Sequence, residues 1–171
     1  MKKVEDFGLI SQAVERIKSK GAFLVARTED NQKTNVMTIG WAALGYMWRK
    51  PIMIVMVRKS RFTFQIIEKA SSFTVNVPPE DSELDKALTF CGTKSGKEID
   101  KFQACKLIIG SAKKVNTPII KHPGMIHYEC KIIFRSTVNP DFLCPAYRED
   151  IYPDNDFHTI YFGEILTYYR V

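Results

Sequence analysis

Small and cationic residues run together without an acidic interruption in Cys91-Gly92-Thr93-Lys94-Ser95-Gly96-Lys97, a composition suited to holding an anion. Gly92 and Gly96 let backbone N–H groups approach a ligand closely and face outward, Ser95 offers a hydroxyl, and Lys94 and Lys97 offer charge. A nucleotide-hydrolase phosphate loop is excluded, because the glycines stand too close together and Glu98 lies where a Ser or Thr would hold magnesium. A second anion-ready stretch, Arg58-Lys59-Ser60-Arg61-Phe62-Thr63, follows the apolar run 51–57 and precedes 64–69. It reads as strand, turn, helix, with Ser60 as N-cap. The free N–H groups of the first turn and the flanking Arg58, Lys59 and Arg61 would favour a phosphate there. Each stretch alone also reads as an ordinary solvated turn, and it is their occurrence together that raises the expectation of a bound anion.

The elements that must position these residues are legible from periodicity and turn signals. A short amphipathic helix is expected over 11–18, with Val14 and Ile17 on one face and Gly21 as its stop. Strands 22–27 and 34–44 flank the polar turn 29–33 as a hairpin. Next come a strand over 52–57, a helix over 62–69, and a strand over 72–77 stopped by Pro78-Pro79. A helix over 81–90 is capped by Asp81 or Ser82, one helical turn follows at 98–102, and short strands are expected at 106–109 and 119–120. Two long strands, 125–138 and 157–169, close the chain. Many strands with three modest helices predict a mainly β protein, an antiparallel sheet or barrel with peripheral helices. Residues 139–156, with Pro140, Pro145, Pro153 and five acidic residues, are too long for an ordinary connection and are expected to form a lid or contact loop.

The 171 residues suffice for one well-buried domain, taken as 1–171. Apolar residues at 45% and charged residues at 26% fit a globular chain and argue against disorder. The longest apolar runs, 52–57 and 39–44, fall far short of the roughly 20 residues of a membrane span. Residues 1–6 meet acid before any apolar core, so no secretory signal is expected and a cytoplasmic location follows. The net charge of +6 comes from scattered Lys and Arg rather than a basic stripe, so nucleic acid is not an expected partner, whereas small phosphorylated anions would be drawn in. Cys91, Cys105, Cys130 and Cys144 show no Cys-x-x-Cys pair, and zinc or dithiol chemistry is not expected; free, partly buried thiols are.

Within 34–41, Asn35 and Thr38 alternate with Val36, Met37 and Ile39 and the run ends in Trp41, a mixture suited to a flat, half-polar ligand. Asn76 adds an amide near the end of another apolar strand. Singly, such an Asn reads as a turn residue and Trp41 as core. In order along the chain, Asn35-x-x-Thr38-x-Gly40-Trp41, Arg58-x-Ser60-Arg61-Phe62-Thr63, Phe73-Thr74-Val75-Asn76-Val77, Cys91-Gly92-x-x-Ser95-Gly96-Lys97 with Asp100-Lys101-Phe102, and Asp156-x-His158 before Gly163-Glu164-Ile165 resemble the flavin reductase-like proteins, particularly the flavoredoxin branch.

That resemblance implies an FMN-binding split β-barrel that forms a homodimer, with one FMN per subunit near the dimer interface. It also assigns roles. Asn35, Met37, Thr38 and Trp41 would border the isoalloxazine ring. Arg58, Ser60, Thr63 and Asn76 would lie at the phosphate and ribityl end, Ser95, Gly96 and Lys97 would close over the phosphate, and His158 would face the reactive side of the ring. The implied activity is hydride transfer from NADH or NADPH to flavin. The alternative is a non-catalytic flavoredoxin-type carrier with permanently bound FMN and a redox protein as partner; a third reading is a fold whose cofactor site is lost or redirected. Lys97 departs from the Arg expected there, exchanging a bidentate fork for a point charge.

Overall fold

The computed structural model describes residues 8–171, apart from the side chain of Ser82; the expectation drawn from residues 1–6 lies outside the described residues. In chain order it contains α1 (Ile10–Ser19), β1 (Ala22–Arg27), β2 (Thr34–Ile39), β3 (Ala42–Met47), β4 (Lys50–Arg58), α2 (Phe62–Ile67), β5 (Ser72–Val77) and α3 (Ser82–Thr93). There follow α4 (Lys101–Ala104), β6 (Ile108–Gly110), β7 (Ile119–Lys121), β8 (Ile126–Thr137), a 3-10 turn (Pro140–Phe142), α5 (Pro145–Ile151) and β9 (His158–Arg170). β6 and β7 pair as a separate hairpin, and the other seven strands form one antiparallel sheet in the order β2-β1-β5-β8-β9-β4-β3.

Strands β2 and β3 are the two edges of this sheet, yet only Gly40 and Trp41 separate them. Three Cα steps reach at most about 11 Å, so the sheet must roll until its edges nearly meet. The edges do not pair with each other, which leaves the barrel split along that seam. The sequence pattern 34–44, expected to be one strand, is therefore two strands broken where the chain turns from one edge to the other. Trp48 and Arg49, with φ of 53° and 60°, form the two-residue turn of the β3–β4 hairpin, a left-handed pair that no Gly or Asn announces.

Two apolar cores share β1. Ala22, Leu24 and Ala26 point into the roll with Met37, Met53, Val55, Phe73, Val75 and Tyr161. Phe23 and Val25 point outward beneath α3, against Leu84, Leu88 and Cys91. Burial on both faces explains the unbroken apolar run of β1, which alternation alone does not. Helix α2 adds the buried Ile66 and Ile67 to the first core.

Five α-helices form among the described residues rather than three. Helix α3, capped by Asp81 (its carboxylate accepts from Glu83 N at 2.8 Å and Leu84 N at 3.1 Å), runs on through Cys91 and Gly92, so the non-helical part of the glycine-bearing segment starts only at Lys94. The helical turn expected at 98–102 begins later, at Lys101, with Asp100 as cap. The strap 139–157 is not a bare loop, since it contains the 3-10 turn and α5.

Candidate functional site

The two anion-ready stretches meet across a cavity of about 90 Å³. Ser60, Arg61 and Thr63 come from the β4–α2 turn, Lys94, Ser95 and Gly96 from the end of α3, and Asn35 and Lys101 complete the wall. None of the lining residues is acidic. A larger groove, about 740 Å³, is lined by Glu29, Asp30 and Glu68 together with Lys69 and Arg135, and Arg135 pairs with Glu68.

Asn35 is the structural pivot. Its Nδ2 donates to Thr63 Oγ1 at 2.9 Å, which ties β2 to α2. A Cβ at position 96 would stand 2.2 Å from Asn35 Oδ1, so glycine is what allows the loop to close on this amide. Arg61 Nη2 donates to Gly92 O at 2.6 Å, joining the two stretches directly. Lys101 is only 3% exposed, and its Nζ donates to Val36 O at 3.0 Å and Cys91 O at 2.9 Å. Burial lowers its pKa from the ordinary lysine value, opposed by Cys91 and Cys105 and reinforced by Arg61. The buried ammonium forms no ion pair among the described residues, so an entering anion would supply the missing counter-charge.

Of the residues expected at a phosphate, the structure brings together Ser60, Thr63, Ser95 and Gly96; Asn35, expected at the ring, lines the same cavity instead. Arg58 and Lys97 do not line the cavity. Arg58 donates instead to Asp156 O at 3.2 Å and Ile151 O at 2.9 Å, while the Lys97 side chain is exposed to solvent. Arg61 and Lys94 occupy the positions expected of them. Ser60 does not cap α2: Arg61 takes the N-cap position, and the Ser60 hydroxyl turns to Asp156.

Three further expected residues lie apart from the cavity. Met37, 6% exposed, packs in the barrel interior. Thr38 Oγ1 donates to Leu88 O at 2.6 Å beneath α3. Asn76, 0% exposed, spends its amide inside the protein: Oδ1 accepts from Ile120 N at 3.0 Å and meets His127 Nδ1 at 2.8 Å, and Nδ2 donates to Thr74 Oγ1. It fastens the β6–β7 hairpin to β5. Lys101 was not singled out as a ligand group, because a lysine beginning a helix after an Asp cap normally points to water; only the fold buries it.

Trp41 and His158 form a second group. Trp41 is 47% exposed, and its ring lies 5.2 Å from that of His158. His158, 8% exposed, shares a hydrogen bond of 2.8 Å between Nδ1 and the Tyr152 hydroxyl, so it is not a solvent-facing strand end. Burial, reinforced by Arg58 and opposed by Asp156, lowers its pKa to about 4, which keeps the imidazole neutral at pH 7. Beside it, Trp41, Met56, Phe142, Leu143, Ile151 and Ile160 wall an apolar cleft of about 550 Å³ whose lining carries no charged residue.

A curved antiparallel sheet carrying a small cationic cavity beside an aromatic cleft suits a ligand with a phosphate at one end and a flat ring at the other. Residues 16–170 match the family model described as flavin reductase like domain, and the chain belongs to that family. Among solved structures, the flavoredoxin of Methanosarcina acetivorans is similar, with 25% identity, a TM-score of 0.65, and 89% of this chain and 68% of that one covered. The FMN-binding protein of Thermus thermophilus, solved with bound 1-cyclohex-2-enone, shares the fold at 21% identity and a TM-score of 0.65 over 88% of this chain and 69% of its own. An uncharacterised protein of Archaeoglobus fulgidus is 31% identical over 102 residues, 60% of this chain; the match spans 55% of that relative's length. No described helix is long and apolar enough to cross a membrane.

Proposed function

We propose that the chain is an FMN-dependent oxidoreductase that passes hydride from NADH or NADPH to flavin. The observation that carries this reading is the buried Lys101 ammonium, without an ion pair among the described residues, in a cavity of about 90 Å³ lined by Ser60, Thr63, Ser95, Arg61 and Lys94. FMN, when bound, supplies the hydride-accepting centre. Arg61, Lys94 and Lys101 supply the charge that holds its phosphate, and Ser60, Thr63 and Ser95 supply hydroxyl donors. Trp41 and His158 are assigned to the ring side, where Trp41 offers an apolar face and a neutral His158 offers one hydrogen bond without adding a cation. The apolar cleft beside them excludes charged groups and gives a nicotinamide or other flat neutral molecule room to approach.

Two further features belong to the proposal. The chain is a homodimer, supported by an exposed apolar band on the outer face of β4, β8 and β9. It resides in the cytoplasm, consistent with four free cysteines, of which Cys91 and Cys130 are buried. The similarity to a flavoredoxin favours a second reading, a carrier with permanently bound FMN that exchanges electrons with a redox protein.

The visible absorption spectrum of purified protein, before and after anaerobic NADH and then NADPH, separates these readings. Flavin bands that bleach on NADH or NADPH establish the reductase and name its donor. Bands that persist until dithionite is added establish the carrier, and no bands after soaking with FMN would remove the cofactor from the account.

A further inference from the structure

The Ser60 donors that an anion needs are already engaged by the protein itself. Ser60 N donates to Asp156 Oδ1 at 3.3 Å and Ser60 Oγ to Asp156 Oδ2 at 2.5 Å, so a carboxylate at the rim of the cationic cavity holds both groups. Two residues earlier, Arg58 grips the same segment through Asp156 O and Ile151 O, with its guanidinium 5.1 Å above the Tyr152 ring. The β4–α2 turn and the end of β4 therefore hold the end of the strap 139–157 by hydrogen bonds from Arg58 and Ser60. Helix α5 buries none of its residues, and Phe142 is 89% exposed. Tyr152 is the strap's buried apolar anchor.

We propose that Asp156 is an internal counter-anion that latches the strap to Ser60 at the edge of the phosphate cavity, so that an incoming phosphate competes with the protein's own carboxylate for Ser60. The inference rests on the anion-binding reading of the cavity and not on flavin as the ligand. A phosphate drawn in by Arg61, Lys94 and Lys101 cannot share the Ser60 donors with a second anion without like-charge repulsion. Binding therefore frees Asp156 and leaves the strap held by Arg58, Tyr152 and the apolar contacts of Leu143 and Ile151. Because linkage is reciprocal, whatever seats the strap weakens phosphate binding by the same factor. The strap carries Phe142, Leu143, Ile151 and Tyr152 into the apolar cleft wall, so phosphate occupancy also sets how open that cleft is.

The test uses full-length protein, wild type and Asp156→Asn, titrated calorimetrically with FMN, riboflavin and inorganic phosphate, together with amide hydrogen exchange of the strap. Loss of the competing charge-assisted hydrogen bond should tighten FMN and phosphate by about fivefold or more and leave riboflavin unchanged. In the wild type, saturating phosphate should speed exchange at Arg148, Tyr152 and Asn155; in Asp156→Asn these amides should exchange fast from the start. Equal or weaker phosphate binding by the variant, or strap exchange that phosphate slows or leaves unchanged, overturns the latch. The wild-type arm stands even if the variant misfolds. Phosphate releasing the strap while FMN fails to bind would sink the flavin reading and keep the latch; tight FMN binding with a slowed strap would do the reverse.

Discussion

An ammonium that is 3% exposed and bonded to two carbonyls carries its charge into surroundings that penalise it, and its lowered pKa records that penalty. Such a group is stabilised by an anion far more than a solvated lysine is, which is why Lys101 outranks the exposed Lys97 as a phosphate ligand. Arg61 belongs with it, since it lines the same cavity and its guanidinium already reaches Gly92 O. Arg61→Ala should weaken FMN by about tenfold or more, the scale of one charge-assisted contact, while riboflavin binding changes little. Lys97→Ala should leave both unchanged. Fluorescence titration with the two flavins decides this, and equal losses for FMN and riboflavin would place Arg61 outside the phosphate contact. At this scale the residue types were legible and their directions were not. Ser60, Thr63, Ser95 and Gly96 stand where their chemistry suggested. Arg58 and Arg61 are three residues apart in a basic turn, and only the path of the strap shows that the first is spent on backbone carbonyls.

Strands with strong apolar runs, such as β4 and β5, could be read from sequence because burial leaves an unmistakable composition. β3 could not be separated from β2, because the roll of the sheet inserts only Gly40 and Trp41 between opposite edges, and α3 runs through Gly92 to Thr93, past the end expected at Phe90. Asn76 misled for a related reason: a polar residue in an apolar strand can face a covering hairpin as well as a ligand. The same burial makes β8 and β9 sensitive to acid. His127 on β8 and His158 on β9 both have pKa values lowered to about 4, chiefly by burial. The unfolded chain protonates these rings near pH 6.5 while the folded one resists, so the unfolded state binds more protons in that window. Stability should be full above about pH 6.5 and fall as the pH drops toward 4. Thermal unfolding followed from pH 7.5 to 4 should show a falling midpoint, with a shallower slope in His158→Gln. A midpoint independent of pH over that range would mean that the rings are not held neutral.

At the scale of the whole molecule, the rolled sheet hides its inner face, and α3 and the β6–β7 hairpin cover the outer face only over β1, β2 and β5. On the outer face Trp48, Phe134 and Phe162 contact one another at centroid distances of 5.2 to 5.8 Å, with Trp48 56% and Phe134 46% exposed. Ile54 pairs with Phe162 and Met56 with Ile160 on the same face, extending the band toward the apolar cleft. A contiguous apolar surface of this kind is costly for a lone molecule in water and is relieved when a second copy covers it. Phe134 sits within the aromatic cluster and is the residue whose replacement tests that cover most directly. Wild-type protein should sediment as a dimer at micromolar concentration. Phe134→Arg should weaken the dimer by about thirtyfold or more, as the loss of a central aromatic anchor does. The phosphate cavity lies in the β4–α2 turn and the α3 loop, away from this cluster, so the variant's affinity for inorganic phosphate should match the wild type. A wild-type protein that stays monomeric at these concentrations would leave the band to another partner, and a Phe134→Arg protein that remains fully dimeric would move the interface elsewhere on the barrel.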